Sequence, residues 1–259
     1  NEQGIVVAGH DHLGHGKSLP EGGTPVYFGQ GSTWNTVVDD IYILHQRLKQ
    51  RYPDVPLCIM GHSMGSFLTR TYLIRYPGTV KAAIIMGTGW QPRAAITGGL
   101  ALANAIAAVS GENATSELVT ELAFGSYNKL FAPNRTKVDW LSADESNVDD
   151  YIADPLCGAD ATVGLFRQML HGIRFNQRQS HLRQMDREMP VLFVAGDKDP
   201  VGNCGKGVRQ TYDAFRAAGM RDCTLKLYPG LRHEILNEKA YTADITKNIE
   251  TWLLSRLEK

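Results

Sequence analysis

The sequence of 259 residues has only four cysteines, Cys58, Cys157, Cys204 and Cys223, scattered with no C-x-x-C pair. That distribution excludes a zinc knuckle and a disulfide scaffold, and it fits a reducing compartment such as the cytoplasm. Net charge is missing too. The 27 basic and 27 acidic residues cancel, so no long-range field draws the chain to nucleic acid or to an anionic membrane. No apolar run approaches the roughly 20 residues of a membrane-spanning helix, and the first residues do not show the basic-then-apolar layout of a secretory leader. Internal repeats and low-complexity tracts are absent as well. What is present is a composition of 43% hydrophobic and 21% charged residues, enough to bury a full core as one large domain with a smaller insert.

Short β-rich runs alternate with longer helical patterns: IVVAGH, then 34–51, then PLCIMGHS, then a helix to Tyr76, then VKAAIIMG. This alternation predicts an α/β fold, a parallel sheet covered by helices. In 34–51, Trp34, Val37, Val38, Ile41, Leu44 and Leu48 recur at helical steps behind a Ser32/Thr33 start signal. The pattern resumes at Pro190 with VLFVAGD, a helix near 208–218, the strand TLKLY and a final helix that aligns Ile245, Ile249, Trp252 and Leu253. Between the two blocks the sequence is strand-poor and rich in aromatic residues. The chain therefore divides into 1–89 (core, first part), 90–189 (helical insert over one end of the sheet) and 190–259 (core, second part).

After the apolar strand PLCIM comes Gly61-His62-Ser63-Met64-Gly65, followed by a helical pattern, which is the strand, turn, helix context of the G-x-S-x-G nucleophile motif. A serine at the tip of a strained turn needs neighbours without side chains where strand and helix backbones approach. Ser63 is then presented clear of the sheet, and the backbone N–H of Met64, opening the helix, points where an oxyanion forms. A serine hydroxyl also needs a base, and the base an orienting acid. Later strand ends supply both: VLFVAG runs into Asp197-Lys198-Asp199-Pro200, and TLKLYPG into Leu231-Arg232-His233-Glu234. Ends of parallel strands share one edge of the sheet, where ligands bind. His233 is the candidate base. Spacing alone leaves Asp197 and Asp199 both open as the acid.

GHDHLGHGKS, GHSMGS, GDKDP and LRHEILNE, in this order and spacing, resemble the α/β-hydrolases of the monoacylglycerol lipase and lysophospholipase type across nearly the whole chain. The resemblance implies Ser63 as nucleophile, His233 as base and Asp199 rather than Asp197 as acid, and it makes the insert a cap over an acyl pocket. No cofactor and no metal are implied.

The opening cluster of His10, His12 and His15 lacks a carboxylate or cysteine set to complete a metal site. A phosphate loop fails because Asp11 stands where the first glycine belongs, and Leu19, Pro20, Gly22, Gly23 and Pro25 forbid the helix that should follow. DHLGHGKS instead resembles the family's Asp-x-Arg-Gly-His-Gly-x-Ser turn after a central strand, with Leu13 in place of arginine. If IVVAGH is that strand, the earlier strands of the family and its second oxyanion donor are expected ahead of Asn1, and something should pair with or cover residues 5–8.

The function expected is serine carboxylester hydrolysis of single-acyl-chain substrates through an acyl-enzyme. Trp90, Phe124, Phe131, Trp140, Phe166, Met169 and Phe175 give the cap its apolar content, as a core or as an acyl pocket. The expected partner is a small acyl ester, with no nucleic acid and no integral membrane segment. Two alternatives remain: an aminopeptidase of the proline iminopeptidase kind, which needs acids such as Asp144, Glu145, Asp149 and Asp150 to hold a substrate ammonium, and an inactive scaffold that retains the triad.

Overall fold

The computed structural model describes residues 4–257. Four apolar runs form the strands β1 (Cys58–His62), β2 (Ala82–Met86), β3 (Val191–Gly196) and β4 (Cys223–Tyr228), all parallel in the order β1-β2-β3-β4. The central strands β2 and β3 are buried along their whole length, so AAIIM and VLFVAG read as unbroken apolar runs instead of alternating ones.

Helix α1 (Trp34–Arg51) opens on Thr33, whose side chain accepts from Thr36 N–H in a capping box. Helix α2 (Met64–Arg75) starts directly at the serine turn. Five helices follow between β2 and β3: α3 (Arg93–Ser110), α4 (Glu117–Lys129), α5 (Glu145–Ala153), α6 (Val163–Asn176) and α7 (Gln179–Leu182). The chain returns through α8 (Lys206–Ala217) and ends on α9 (Thr242–Leu257). The two faces of the sheet bury separate cores. Ala83, Ile85, Val191, Phe193 and Ala195 pack with α1, α2, α6 and α8, whereas Ala82, Ile84, Met86, Leu192 and Val194 pack with Ile245, Ile249, Trp252 and Leu253 of α9.

Helix α6 ties the helical segment to the core. Trp34 Nε1 donates to Thr71 Oγ1 at 2.8 Å, and Thr71 Oγ1 donates to Asn176 Oδ1 at 2.8 Å. Gly172 permits the approach, since a Cβ there would lie 2.2 Å from the Trp34 ring. Helix α3 is less enclosed. Its 18 residues average a hydropathy of 1.3 with 17% of the window buried, so by length and composition alone it is the one helix among the described residues that could cross a membrane. The sequence expectation of no such run is modified to that extent.

The expected strand IVVAGH does not form. Residues 5–10 carry no regular structure, with Val6 63% and Val7 88% exposed. A short apolar run becomes a strand only when a neighbour offers its edge, and none of the described residues does so. Among the described residues the sheet begins at β1, whose outer edge borders a cleft of about 240 Å³ lined by Ala8, His10, His12, Leu44, Leu48 and Met60. Of residues 5–8, Ile5 is half-buried against the core that faces α9, and among the described residues nothing covers 6–8.

Candidate active site

Ser63 sits between β1 and α2 with φ +55° and ψ −123°, a strained conformation for a residue with a side chain. The turn is held from below, where Ser63 N–H donates to Met86 O at 3.1 Å and Ser66 Oγ donates to Ser63 O at 2.6 Å. Gly61 is required, because a Cβ there would lie 2.2 Å from Gly65 O and 2.3 Å from Thr69 Oγ1. Gly65 is not: a Cβ there meets nothing within 4 Å. The close approach inferred for both glycines thus holds at one, since Gly65 faces the open cleft beside β1. Met64 takes the first position of α2, one of the N–H groups that a helix leaves without an internal partner.

His233 and Asp199 meet in a buried pair. His233 is 3% and Asp199 0% exposed, and Nδ1 lies 3.0 Å from Oδ2. The other carboxylate oxygen accepts from Val201 N–H at 2.9 Å, which fixes the rotamer. Asp197 instead accepts from Gly230 N–H at 2.8 Å and holds the turn after β4. Among the described residues, His233 Nε2 and Ser63 Oγ make no hydrogen bond.

One contributor escaped the sequence reading although it lies inside the pentapeptide. His62 holds its ring 4.5 Å from that of His233, tilted by 41°, and its Nε2 lies 3.0 Å from His233 O. As the only donor of that pair, Nε2 carries the proton. Burial, and next the adjacent His233, push the His62 pKa down to about 4, so the ring is neutral near pH 7. Gly87, at φ +57°, leaves room for both rings, since a Cβ there would lie 3.0 Å from His62 and 3.1 Å from His233. His62 therefore bridges the serine turn to the histidine loop. The second missed residue is Arg70 of α2, 0% exposed, which donates to Gly89 O at 2.9 Å and Thr88 Oγ1 at 3.3 Å, and so pins the loop after β2. Its burial without a carboxylate partner lowers its pKa to about 9.

Above His233 lies an aromatic series from the helical segment. The Trp140 ring is 5.2 Å from His233, Phe124 is stacked 6.3 Å from Trp140, and Phe166 is 5.5 Å from Phe124. The series leads into a cavity of about 380 Å³ between α3, α4 and α6, lined by Leu102, Ala103, Val119, Phe124, Phe166 and Met169. Other aromatic residues singled out from the sequence lie elsewhere. Trp90 lines a separate cleft of about 570 Å³, Phe131 lies under Arg232, and Phe175 packs 4.1 Å from His181. The acids that an aminopeptidase would need are otherwise engaged. Arg135 pairs with Asp149 at 2.7 Å and with Glu145 at 3.8 Å, Lys239 lies 3.8 Å from Asp150, and Asp144 accepts from Ser146 N–H at 3.0 Å at the start of α5. Among the described residues no group of three or more His, Cys, Asp or Glu side chains is placed to hold a metal ion, and His10 and His12 meet edge to face at 5.0 Å.

A family profile described as serine aminopeptidase, S33 (Hydrolase_4) matches residues 1–240. The chain belongs to this family. Among its relatives, a monoacylglycerol lipase from Mycolicibacterium smegmatis is 30% identical over 98% of this chain and 80% of its own length. The human monoglyceride lipase is 26% identical over 97% of this chain and 74% of its own. A thermostable carboxyl esterase from Bacillus coagulans, solved with glycerol, superposes with a TM-score of 0.87 at 25% identity, covering 95% of this chain and 79% of the esterase. A monoglyceride lipase from Saccharomyces cerevisiae, at 17% identity and a TM-score of 0.70, shares the fold over 95% of this chain and 76% of the lipase. The fold seen here is thus that of an α/β-hydrolase, a parallel sheet flanked by helices, and the relatives named as lipases match nearly all of the chain.

Proposed function

We propose that this protein is a carboxylic ester hydrolase acting on substrates with a single acyl chain, such as a monoacylglycerol or a lysophospholipid, through an acyl-enzyme. Ester hydrolysis is what the lipase relatives and the carboxyl esterase have in common by name. The observation that supports the finer reading is the buried Asp199–His233 pair, whose imidazole lies 4.5 Å from the ring of His62, the residue before the strained Ser63.

In this scheme Ser63 Oγ attacks the ester carbonyl carbon as its proton passes to His233 Nε2, and Asp199 holds the imidazolium through Nδ1–H. Met64 N–H stabilises the oxyanion. Collapse of the tetrahedral intermediate breaks the bond to the leaving alcohol, which takes the proton from His233, and water repeats the sequence on the acyl-enzyme. Helices within 90–189 act as the cap, and the 380 Å³ cavity takes the acyl chain. The four unpaired cysteines support a reducing compartment.

An aminopeptidase reading keeps support from the family description. It is weakened by the pairing of Glu145, Asp149 and Asp150 with cations and the use of Asp144 as a helix cap. A panel of p-nitrophenyl esters, monoacylglycerols and amino-acid p-nitroanilides separates the readings, with esters turned over and anilides left. Ser63→Ala should lose at least about 10³-fold of the ester activity while its melting curve stays unchanged. A variant that keeps most of its activity would remove Ser63 from the mechanism.

A further inference from the structure

The loop that carries His233 is fastened to residues 139–147 of the helical segment by charged side chains that grip main-chain atoms. Arg232 Nη1 donates to Asp139 O and, at 3.0 Å, to Ser142 O, with its guanidinium 4.0 Å over the Phe131 ring. Glu234 N–H donates to Leu141 O at 2.7 Å, and Glu234 Oε2 accepts from Asn147 Nδ2 at 2.8 Å. Glu238, 3% exposed, accepts from the N–H groups of Ala143 at 2.8 Å and Asp144 at 3.1 Å. Between these ties lies Trp140, whose ring covers His233 at 5.2 Å.

We propose that this clamp makes the seating of residues 139–147 a condition for His233 to act as the base, with Glu238 and Arg232 as positioning residues. The inference rests on the esterase reading above and adds a device to it. His233 is held from two sides. The sheet side offers Asp199 at Nδ1, His62 at the carbonyl of His233 and Lys198 N–H at the carbonyl of Leu231, 3.0 Å away. The opposite side offers ties at the residue before His233, the residue after it, and Glu238. A displacement of 139–147 therefore carries the loop with it, and a shift of about 1 Å in a reacting group costs on the order of 10²-fold in rate. Charge-assisted bonds to main-chain groups suit this purpose, because they are shorter and stronger than neutral ones and leave little play. The same segment borders the aromatic path to the acyl cavity, so substrate entry and base alignment share one element.

The test compares the full chain with Glu238→Ala, Glu238→Gln and Asn147→Ala on p-nitrophenyl acetate and p-nitrophenyl decanoate, well below each melting temperature. For Glu238→Ala, kcat on the acetate should fall about 10- to 100-fold with KM within about twofold. Glu238→Gln, able to accept through one oxygen, should lose less, about 3- to 10-fold. Asn147→Ala removes a single bond at a half-buried position and should cost about threefold, which keeps the test open if Glu238→Ala does not fold. Labelling of Ser63 by a fluorophosphonate should slow by the same factors, since it reports the activated serine without an acyl chain. Unchanged kcat and labelling in Glu238→Gln and Asn147→Ala, with a raised KM for the decanoate alone, would overturn the clamp and leave the segment a role in substrate binding. If the parent protein labels but hydrolyses neither ester, the esterase reading fails, and the labelling rates still judge the clamp.

Discussion

Asp197 and Asp199 stand two residues apart at the end of β3, yet their side chains meet opposite needs. Asp199 is fully buried against His233, whereas Asp197 holds a turn through Gly230 N–H. Replacing the buried acid by its amide keeps the shape but reverses one hydrogen-bonding role, which lets His233 take the wrong tautomer. Asp199→Asn should accordingly lose on the order of 10³ to 10⁴ in kcat/KM, and Asp197→Asn far less. Steady-state kinetics of the two variants on one ester decides, and the reverse ranking would transfer the acid to Asp197. Periodicity and spacing in the sequence place both acids at the right strand end but do not rank them, because burial depends on how the β4 loop folds back. At the same scale, the strained turn at Ser63 was legible from its pentapeptide, whereas the bridging contact of His62 was not, since its partner is a carbonyl 171 positions away.

At the scale of elements, strands and helices were legible wherever their own residues decide them. Helix α1 spans the 34–51 predicted by its stripe, and the stripe of α9 is the set that is buried. IVVAGH is the contrary case, because a strand is a property of two chains and the sequence of one cannot supply the other. The helical segment was legible as helical but not in its packing: which aromatic residues line the cavity and which brace the loops follows from the approach of α3, α4 and α6. That packing suggests a test of the cavity itself. Ala123 of α4 lines it, and Ala123→Phe adds a ring to a space of about 380 Å³. Long acyl chains should be excluded, with KM for decanoate or longer esters rising about 10-fold or more while acetate is hydrolysed as before. A uniform loss for all chain lengths would show that the acyl chain lies elsewhere.

The molecule as a whole carries the cost of holding two histidines neutral, His62 beside His233 and His12 in the cleft beside β1. His62 has a pKa of about 4 in the folded protein against the ordinary 6.5, through burial first and the neighbouring His233 second, and His12 is lowered to about 4 in the same sense by burial and by His10 and His15. The unfolded chain takes up these protons near pH 6.5 and the folded protein only near pH 4, so in that interval the unfolded state binds more protons. Stability is therefore full above about pH 6.5 and is lost as pH falls toward 4, at a rate of up to about 1.4 kcal/mol per pH unit for a fully effective histidine. Urea unfolding between pH 7.5 and 5.0 should show the midpoint falling with pH, in a range where most carboxylates remain ionised. His62→Gln keeps a donor for the His233 carbonyl but takes up no proton, so its midpoint should fall less over the same interval. A slope as steep in His62→Gln as in the parent would assign the acid sensitivity to other groups and would mean that the ring beside His233 is not held neutral.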